Sequence, residues 1–172
     1  MGRNAEGLPE GGILGEYFLM IFVSLGTQDK PFTRLLSALE EIEFFEEVVV
    51  QAGYTQFKSS KMTIKGYLDK DEFDLYMKQA SLVITHGGVG SIVSALSNGK
   101  KVIACPRLAK YGEHTNDHQL QIVEVFEKKG YLLAYRDGDD LNEVIAKSGD
   151  FIPKSYTSNN DCFVAKLKDY IG

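Results

Sequence analysis

The repeated alternation of short apolar runs with helical patterns is the feature that most constrains this chain's fold. Parallel strands need a long crossover connection, usually a helix, whereas antiparallel neighbours need only a turn, so strands separated by helices indicate a parallel sheet. Strands buried on both faces of a sheet read as near-continuous Val, Ile and Leu. We therefore predict an α/β fold, a Rossmann-like parallel sheet with helices on both faces. The predicted strands are Leu19–Leu25, Glu47–Gln51, Met62–Lys65, Leu82–Thr85, Lys101–Cys105 and Tyr131–Ala134.

The predicted helices lie between these strands and after the last of them. Pro31 suits the first turn of a helix, because its missing N–H would lack a partner there anyway. Gly99 and Gly130 are typical residues at which a helix ends. Beyond the helix near Pro31, we predict helices at Asp71–Ala80, at Ile92–Asn98, from a cap at Thr115 or Asn116 to Gly130, at Leu141–Lys147 and at Cys162–Tyr170.

The chain has the size of one domain, 172 residues. Residues 1–16 contain five glycines and show little periodicity, whereas Met20 directly precedes a strand pattern. This stretch lacks the features of a secretory signal peptide. We expect residues 1–19 to be a flexible leader or an artificial extension, with the natural start at Met20. Residues 20–172 then form a single domain.

Composition excludes several classes of function. The chain carries 19 basic and 24 acidic residues, a net charge of −5, and a nucleic-acid partner would need clustered Lys and Arg. The longest apolar run, Tyr17–Val23, is far shorter than a membrane helix. Cys105 and Cys162 have no metal or redox spacing, and Cys105 lies in an apolar run as a small buried residue would. We expect a reducing, cytoplasmic setting.

A glycine-rich turn joins the fourth strand to the next helix, and its sequence is His86, Gly87, Gly88, Val89, Gly90, Ser91. Glycines let backbone N–H groups approach a ligand, and the helix start carries partial positive charge, which together suit a phosphate or diphosphate. Ser91 and His86 add side-chain donors. The simpler interpretation is a turn that only closes the packing, and the turn alone does not decide between the two.

Two further loops end at the same predicted edge of the sheet. Gly26 and Thr27 follow the first strand. They either let a ligand approach the backbone closely or form a simple loop between the strand and the next helix. His118 and Gln119 fall in the first turn of a later helix, pointing toward the edge that holds His86, and we expect both to face solvent unless a ligand covers them. The preceding polar residues are equally explained as helix caps.

Neither metal nor familiar cofactor patterns emerge. Asp69 and Asp71 have the spacing of a metal-binding pair, but Asp71 is better placed as a helix cap. The run Asp137–Asp140 reads as a turn and a helix cap rather than as metal ligands. Val93 stands where a dinucleotide fingerprint needs its third glycine, which counts against a nicotinamide enzyme. We expect no metal and no cofactor. No catalytic triad can be assembled, so the catalytic residue is left unassigned.

Taken together, these loops resemble the C-terminal, donor-binding half of family 28 glycosyltransferases. The resemblance covers roughly Met20 to Ala134 and is strongest over Leu82–Ile92, Gly99–Ile103 and Asp117–Gln119. Within this family, the chain is similar to the small cytosolic subunits of two-component enzymes, among them the catalytic subunit of dolichol-linked chitobiose synthesis. Residues 107–119 are especially similar to bacterial capsule and exopolysaccharide members.

The resemblance implies one half of a GT-B enzyme that binds a UDP-sugar. It assigns donor contacts to the three loops, and Ser94 stands where many relatives have an acidic residue for the ribose, so ribose recognition would be weaker or come from elsewhere. The implied donor-binding residues are Gly26, Thr27, His86, Gly87, Gly88, Gly90, Ser91, Ser94, His118 and Gln119.

The same resemblance implies an inverting, metal-independent transfer to a polyprenyl-diphosphate-linked sugar in capsule or exopolysaccharide synthesis. One domain cannot supply both halves of such an enzyme, so we expect a membrane-anchored partner that binds the acceptor and recruits this chain to the inner face of the membrane. Arg107, Lys110 and Tyr111 are the expected docking residues, and the base is expected on the partner. The alternative is a non-catalytic nucleotide-sugar-binding subunit that enhances an already active partner.

Overall fold

The computed structural model describes residues 19–157 and 161–171. The predicted leader therefore lies outside the described residues except for Leu19, which is exposed, and it stays a prediction. The strands are β1 (Met20–Ser24), β2 (Glu47–Gln51), β3 (Thr63–Lys65), β4 (Ala80–His86), β5 (Lys101–Cys105) and β6 (Leu133–Ala134). The helices are α1 (Thr33–Glu40), α2 (Lys70–Gln79), α3 (Val89–Ser97), α4 (His118–Lys128), α5 (Leu141–Asp150) and α6 (Asp161–Ile171), with a 3₁₀ turn at Ala109–Tyr111.

The described strands form one six-stranded sheet in the order β3-β2-β1-β4-β5-β6. Every pairing in it is parallel, which confirms the Rossmann-like prediction. The strand order reverses between β1 and β4, and Ser24 pairs with Thr85 near their carboxyl ends. In open α/β sheets, the crevice at such a switch point is where ligands bind.

The sheet is buried on both faces because alternate strand residues point to opposite sides. Ile21 and Val23 of β1 pack with α1 and α5, whereas Phe22 packs on the other face with α2, α3, α4 and α6. The apolar runs in the sequence reflect this double burial. The core thus fixes the carboxyl ends of the strands, and the loops that follow them are held at one edge.

The starts of α3 and α4, the two helices beside the cleft edge, differ from the prediction. Helix α3 begins at Val89, three residues before the expected start, so Gly90 and Ser91 lie in its first turn rather than in a loop. Gly87, Gly88 and Gly90 all have ordinary negative φ angles, and Gly90 therefore fits a helical turn despite its low helix propensity. Helix α4 begins later than expected, at His118.

Helix capping explains the later start of α4 and the earlier start of α2. The Asn116 side-chain oxygen accepts a hydrogen bond from the His118 backbone N–H at 3.1 Å, as the predicted cap would. Asp117 instead accepts from the Ala109 N–H at 2.8 Å, which ties the preceding loop to the helix. Asp69, not Asp71, caps α2, and Asp140 caps α5 within the run predicted as a turn and cap.

Candidate functional site

A cleft of about 950 Å³ opens at the carboxyl ends of β1 and β4, at the switch point of the sheet. This volume lies within the range of small-molecule sites. Most of the residues that the sequence singled out meet in its lining: Gly26, Thr27, His86, Gly88, Gly90, Ser91, His118 and Gln119. Gly87 and Ser94 do not line the cleft.

The start of α3 gives the cleft its clearest anion-binding character. Gly88, the N-cap residue of α3, has no side chain that could cap the helix. No acidic residue follows in the first turn. The first backbone N–H groups of a helix have no acceptor within the helix, and the helix dipole makes this end partly positive. Ser91 adds a hydroxyl in the same turn. This end of the cleft can therefore bind a negatively charged group.

The loop glycines have different roles. A Cβ on Gly26, whose φ is +79°, would lie 2.6 Å from His86 Nε2, and one on Gly88 would lie 2.3 Å from His86 Cε1. A Cβ on Gly87 would lie 2.9 Å from the side chains of Gln119 and Val123. These three glycines make room for neighbouring side chains rather than for a ligand.

Gly90 is the exception within the glycine-rich turn. A Cβ there would meet no heavy atom within 4 Å, and the residue is exposed in the cleft lining. The missing side chain at Gly90 therefore leaves open space beside the first N–H groups of α3. That space is where a ligand could approach the backbone.

His86 lies at the base of the cleft with 9% of its surface exposed. Its Nε2 is 2.8 Å from Ser91 Oγ, and its Nδ1 accepts a hydrogen bond from the Gly88 N–H at 3.1 Å. Burial, with a smaller contribution from the positive charge of Arg107, lowers the pKa of His86 to about 4. The imidazole is therefore neutral at physiological pH, and it contributes hydrogen bonds rather than charge.

Gln119 is buried, which corrects the expectation that its side chain faces solvent. Its Oε1 accepts hydrogen bonds from the backbone N–H groups of Gly87 at 2.9 Å and Arg107 at 3.0 Å. Its Nε2 lies 3.3 Å from His86 Nδ1. Long-range pairing draws this side chain inward, and a sequence pattern does not show such pairing. His118, half-buried, remains at the cleft surface.

Arg107 is only 1% exposed, so the prediction that it docks a partner is wrong. Its guanidinium donates to the backbone oxygens of Leu25 at 2.6 Å, Lys30 at 2.9 Å and Glu113 at 3.1 Å. These oxygens belong to the loops that follow β1 and β5. Burial lowers the pKa of Arg107 below its usual value. Arg107 therefore ties together two loops of the cleft.

A second buried pair supports the same loop. Arg34 of α1 donates two hydrogen bonds of 2.9 Å to the Glu113 carboxylate, which is almost fully buried. The other partner of that carboxylate is the Leu108 N–H at 2.9 Å. Burial by itself would lower the pKa of Arg34, but the bond to Glu113 raises it above its usual value. Such bidentate pairs fix geometry as well as charge.

Lys110 and Tyr111, the other two predicted docking residues, are both bonded to one carboxylate. Lys110 Nζ lies 2.5 Å from Asp137 and the Tyr111 hydroxyl donates to it at 3.0 Å. The hydrogen bond from Lys110, and to a lesser degree that from Tyr111, lowers the pKa of Asp137. Both side chains remain exposed, so a docking role for them stays a prediction.

Several lining residues were missed by sequence reasoning. They are Gln51, Leu68, Asp69, Lys70, Phe73, His114, Ile122 and Lys168. Asp69 belongs to the acidic pair that was predicted not to bind a metal, and His114 lies within residues 107–119, whereas the others come from parts of the chain whose sequence shows no motif. Gln51, at the carboxyl end of β2, could have been found, because a polar residue ending a buried parallel strand reaches the same edge as His86. Lys168 comes from α6, and only the packing of that helix brings it there.

Three further observations bear on the chemistry that is available. Within residues 19–157 and 161–171, no three His, Cys, Asp or Glu side chains are grouped as a metal site would require. Cys105 is fully buried, and burial raises the pKa of its thiol to about 12, as expected for a packing residue. In the part of the chain that the structure describes, no helix is long and apolar enough to cross a membrane.

The sheet order and the position of the cleft define an open, Rossmann-like α/β domain with a ligand crevice at its switch point. Residues 20–171 match the glycosyltransferase family 28 C-terminal domain, and the chain belongs to this family. The family resemblance drawn from the sequence is therefore confirmed.

Individual relatives agree with this assignment. The chain is 33% identical over 89 residues to the "UDP-N-acetylglucosamine transferase subunit ALG13" of Yarrowia lipolytica, a match that covers 52% of this chain and 43% of that protein. The chain thus spans less than half the length of that curated relative.

Solved structures show the same fold. The solution structure of ALG13 superposes with a TM-score of 0.58 and 18% identity, covering 89% of this chain and 96% of that one. The crystal structure of CalG4, the calicheamicin glycosyltransferase, gives a TM-score of 0.61 and 15% identity, covering 91% of this chain but 38% of that enzyme. The fold is that of one half of a GT-B glycosyltransferase.

Proposed function

We propose that this chain is the UDP-sugar-binding, catalytic subunit of a two-component inverting glycosyltransferase. The observation that supports this most is the cleft at the switch point, where the uncapped start of α3, the open backbone at Gly90 and the Ser91 hydroxyl lie together. Backbone N–H groups, a hydroxyl and a helix dipole suit a diphosphate. Stabilising the departing diphosphate is the main electrostatic task in sugar transfer from a nucleotide donor.

The other parts of the cleft fit the rest of a nucleotide sugar. Leu68, Phe73 and Ile122 provide apolar surface for a nucleobase. Asp69 is an exposed carboxylate in the lining, and we propose that it bonds the ribose hydroxyls in place of the acidic residue missing at Ser94. The Yarrowia relative is a UDP-N-acetylglucosamine transferase subunit by name, which makes UDP-N-acetylglucosamine the first donor to test. We propose that binding needs no metal and no cofactor.

The partner and acceptor complete the proposal. The Yarrowia relative is named as a subunit, and we propose that this chain likewise acts with a second, membrane-anchored subunit that holds the acceptor on the cytoplasmic side. The acceptor proposed is a polyprenyl-diphosphate-linked saccharide. The capsule or exopolysaccharide setting rests on the sequence resemblance alone.

Calorimetric titration with UDP in a buffer containing a chelator tests the donor site. We expect binding that weakens from UDP to UMP and is lost for uridine, because the diphosphate makes the main contacts. Binding that appears only after a divalent ion is added would contradict the metal-free proposal. Equal affinity for UDP and uridine would contradict the assignment of the α3 start to the diphosphate.

A transfer assay tests the catalytic role. The purified chain is combined with a membrane fraction from the native organism, radiolabelled UDP-N-acetylglucosamine and a polyprenyl-diphosphate-linked sugar. We expect transfer only when chain and membranes are both present. Full transfer by membranes that lack this chain would favour the alternative, a non-catalytic subunit that enhances its partner. Transfer by the chain alone would contradict the need for a partner.

A further inference from the structure

The amide group of Gln119 has only one orientation that satisfies its neighbours. Two backbone N–H groups, those of Gly87 and Arg107, point at the same atom from 2.9 and 3.0 Å. An N–H can be accepted by the amide oxygen but not by the amide nitrogen, so this atom is Oε1. The amide nitrogen therefore faces His86 Nδ1 at 3.3 Å and donates to it.

This orientation decides which nitrogen of His86 carries the hydrogen. Nδ1 faces two donors, the Gln119 amide and the Gly88 N–H at 3.1 Å, so it must present a lone pair. In a neutral imidazole, the hydrogen then lies on Nε2, which is 2.8 Å from Ser91 Oγ. The Nε2–H group consequently donates to Ser91, and the remaining ring lone pair, on Nδ1, is engaged by two donors and is not available as a base.

The Ser91 hydroxyl receives that hydrogen bond, so its own hydrogen can turn elsewhere. Ser91 lines the cleft in the first turn of α3, beside the open space at Gly90. We propose that Gln119 is a positioning residue that fixes His86 as the Nε2–H tautomer and thereby directs the Ser91 hydroxyl hydrogen toward a phosphate group in the cleft. The phosphate part rests on the proposed function.

This proposal changes the role that the family resemblance implied for Gln119. Both lone pairs of its oxygen and one of its two amide hydrogens are engaged inside the protein. Its side chain is 4% exposed, so it acts on a ligand through His86 and Ser91 rather than by contact. The pKa of His86, lowered chiefly by burial, keeps the ring neutral at physiological pH, so that only one of its nitrogens carries a hydrogen.

Two-bond ¹H–¹⁵N correlation spectra of the ¹⁵N-histidine-labelled protein test the ring directly, with His86→Gln used to assign its signals. At about pH 9, where imidazoles are neutral, we expect the His86 pattern of an Nε2–H tautomer. An Nδ1–H pattern in the wild-type chain would overturn the proposal. This measurement needs no ligand and no variant that must bind one.

Gln119→Glu tests the positioning role. The carboxylate still accepts from Gly87 and Arg107, but it offers Nδ1 an acceptor, so we expect His86 to shift to Nδ1–H. Nε2 then accepts from Ser91 and draws its hydrogen away from the cleft, and UDP affinity should fall about tenfold, as for one lost bond to a charged group. Gln121→Glu adds the same charge on the exposed side of α4 and should change neither property.

Ser91→Ala completes a double-mutant cycle. If Gln119 acts through Ser91, Gln119→Glu should cost much less UDP affinity in the Ser91→Ala background than in the wild type. Equal costs in both backgrounds, or an unchanged tautomer in a folded Gln119→Glu variant, would overturn the proposal. If Gln119→Glu does not fold, the wild-type spectrum decides. A wild-type chain that binds no UDP would overturn the proposed function and the phosphate part, but not the ring assignment.

Discussion

The floor and the rim of the cleft differ in how their polar groups are used. The floor, defined here as His86, Gln119 and Arg107 with the glycines packed against them, is buried and bonded internally. The rim, defined here as Gly90, Ser91, His118, Asp69 and Lys168, is at least partly accessible in the same cleft.

This difference teaches that a motif residue next to a ligand site is not always a ligand contact. Gly88 and Gly90 are two residues apart in the same turn. Gly88 makes room for the imidazole of His86, whereas Gly90 borders open space. We expect floor substitutions to affect the free energy of unfolding first, and rim substitutions to affect binding with little effect on stability. Four experiments can break or sharpen this comparison.

The largest effect is expected for Arg107→Met. The substitution leaves the buried backbone oxygens of Leu25 and Glu113 and the partly buried oxygen of Lys30 without their donor, which should cost about 3 kcal/mol or more of unfolding free energy. Arg136→Met is the control, because Arg136 is 42% exposed and its ion pair with Glu127 should contribute less than about 1 kcal/mol. Urea unfolding measures both. Equal losses would show that Arg107 is not a structural centre of the floor.

The next effect is a dependence of stability on pH. The pKa of His86 is about 4 in the fold, below its ordinary value near 6.5, so the unfolded chain binds a proton first as pH falls. Stability is therefore full above pH 6.5 and falls toward pH 4, with His86 contributing about 3 kcal/mol. The groups that lower its pKa after burial are Arg107 and His114.

His86→Gln removes this titration and should flatten that part of the stability curve, measured by urea unfolding at several pH values. His114→Gln serves as the control. The pKa of His114 is also lowered, chiefly by burial, but the side chain is half-exposed and should contribute less. If the unfolding free energy of His86→Gln keeps the full wild-type dependence on pH between 6.5 and 4, a group other than His86 titrates in this range.

The glycine pair separates stability from binding. In Gly88→Ala the new methyl would lie 2.3 Å from His86, and such overpacking costs about 1–3 kcal/mol of stability. In Gly90→Ala the methyl fills open space in a helical turn, so the melting temperature should hold or rise slightly while UDP affinity falls at least about tenfold. Thermal melts and UDP titrations distinguish the two. A Gly90→Ala variant that binds UDP normally would show that the ligand does not bind at the α3 start.

The smallest effect is expected at Lys168. This side chain of α6 lines the rim, and its charge should favour a diphosphate by a few-fold in affinity, since partly exposed charges are screened. Lys168→Met should lower UDP affinity most at low salt. Lys166→Met, on the same helix but outside the cleft lining, should leave it unchanged. If the two variants behave alike, Lys168 has no specific role in the rim.

The sequence by itself determined the fold class, the order of strands and helices, and the edge at which the site lies. Apolar runs such as Val48–Val50 report burial on both faces of a sheet, and the carboxyl ends of parallel strands meet at one edge. Eight of the ten predicted donor-binding residues accordingly meet in the cleft. Their positions could be predicted because local patterns and strand direction are sufficient to place them.

Only the tertiary structure decided which of those residues face a ligand. The inward position of Gln119 depends on backbone groups at Gly87 and Arg107, 32 and 12 residues away along the chain. The burial of Arg107 depends on an oxygen at Leu25, 82 residues away. Hydrogen bonds over such separations leave no periodic trace in a sequence, because they arise only when the packed sheet brings the loops of β1, β4 and β5 together.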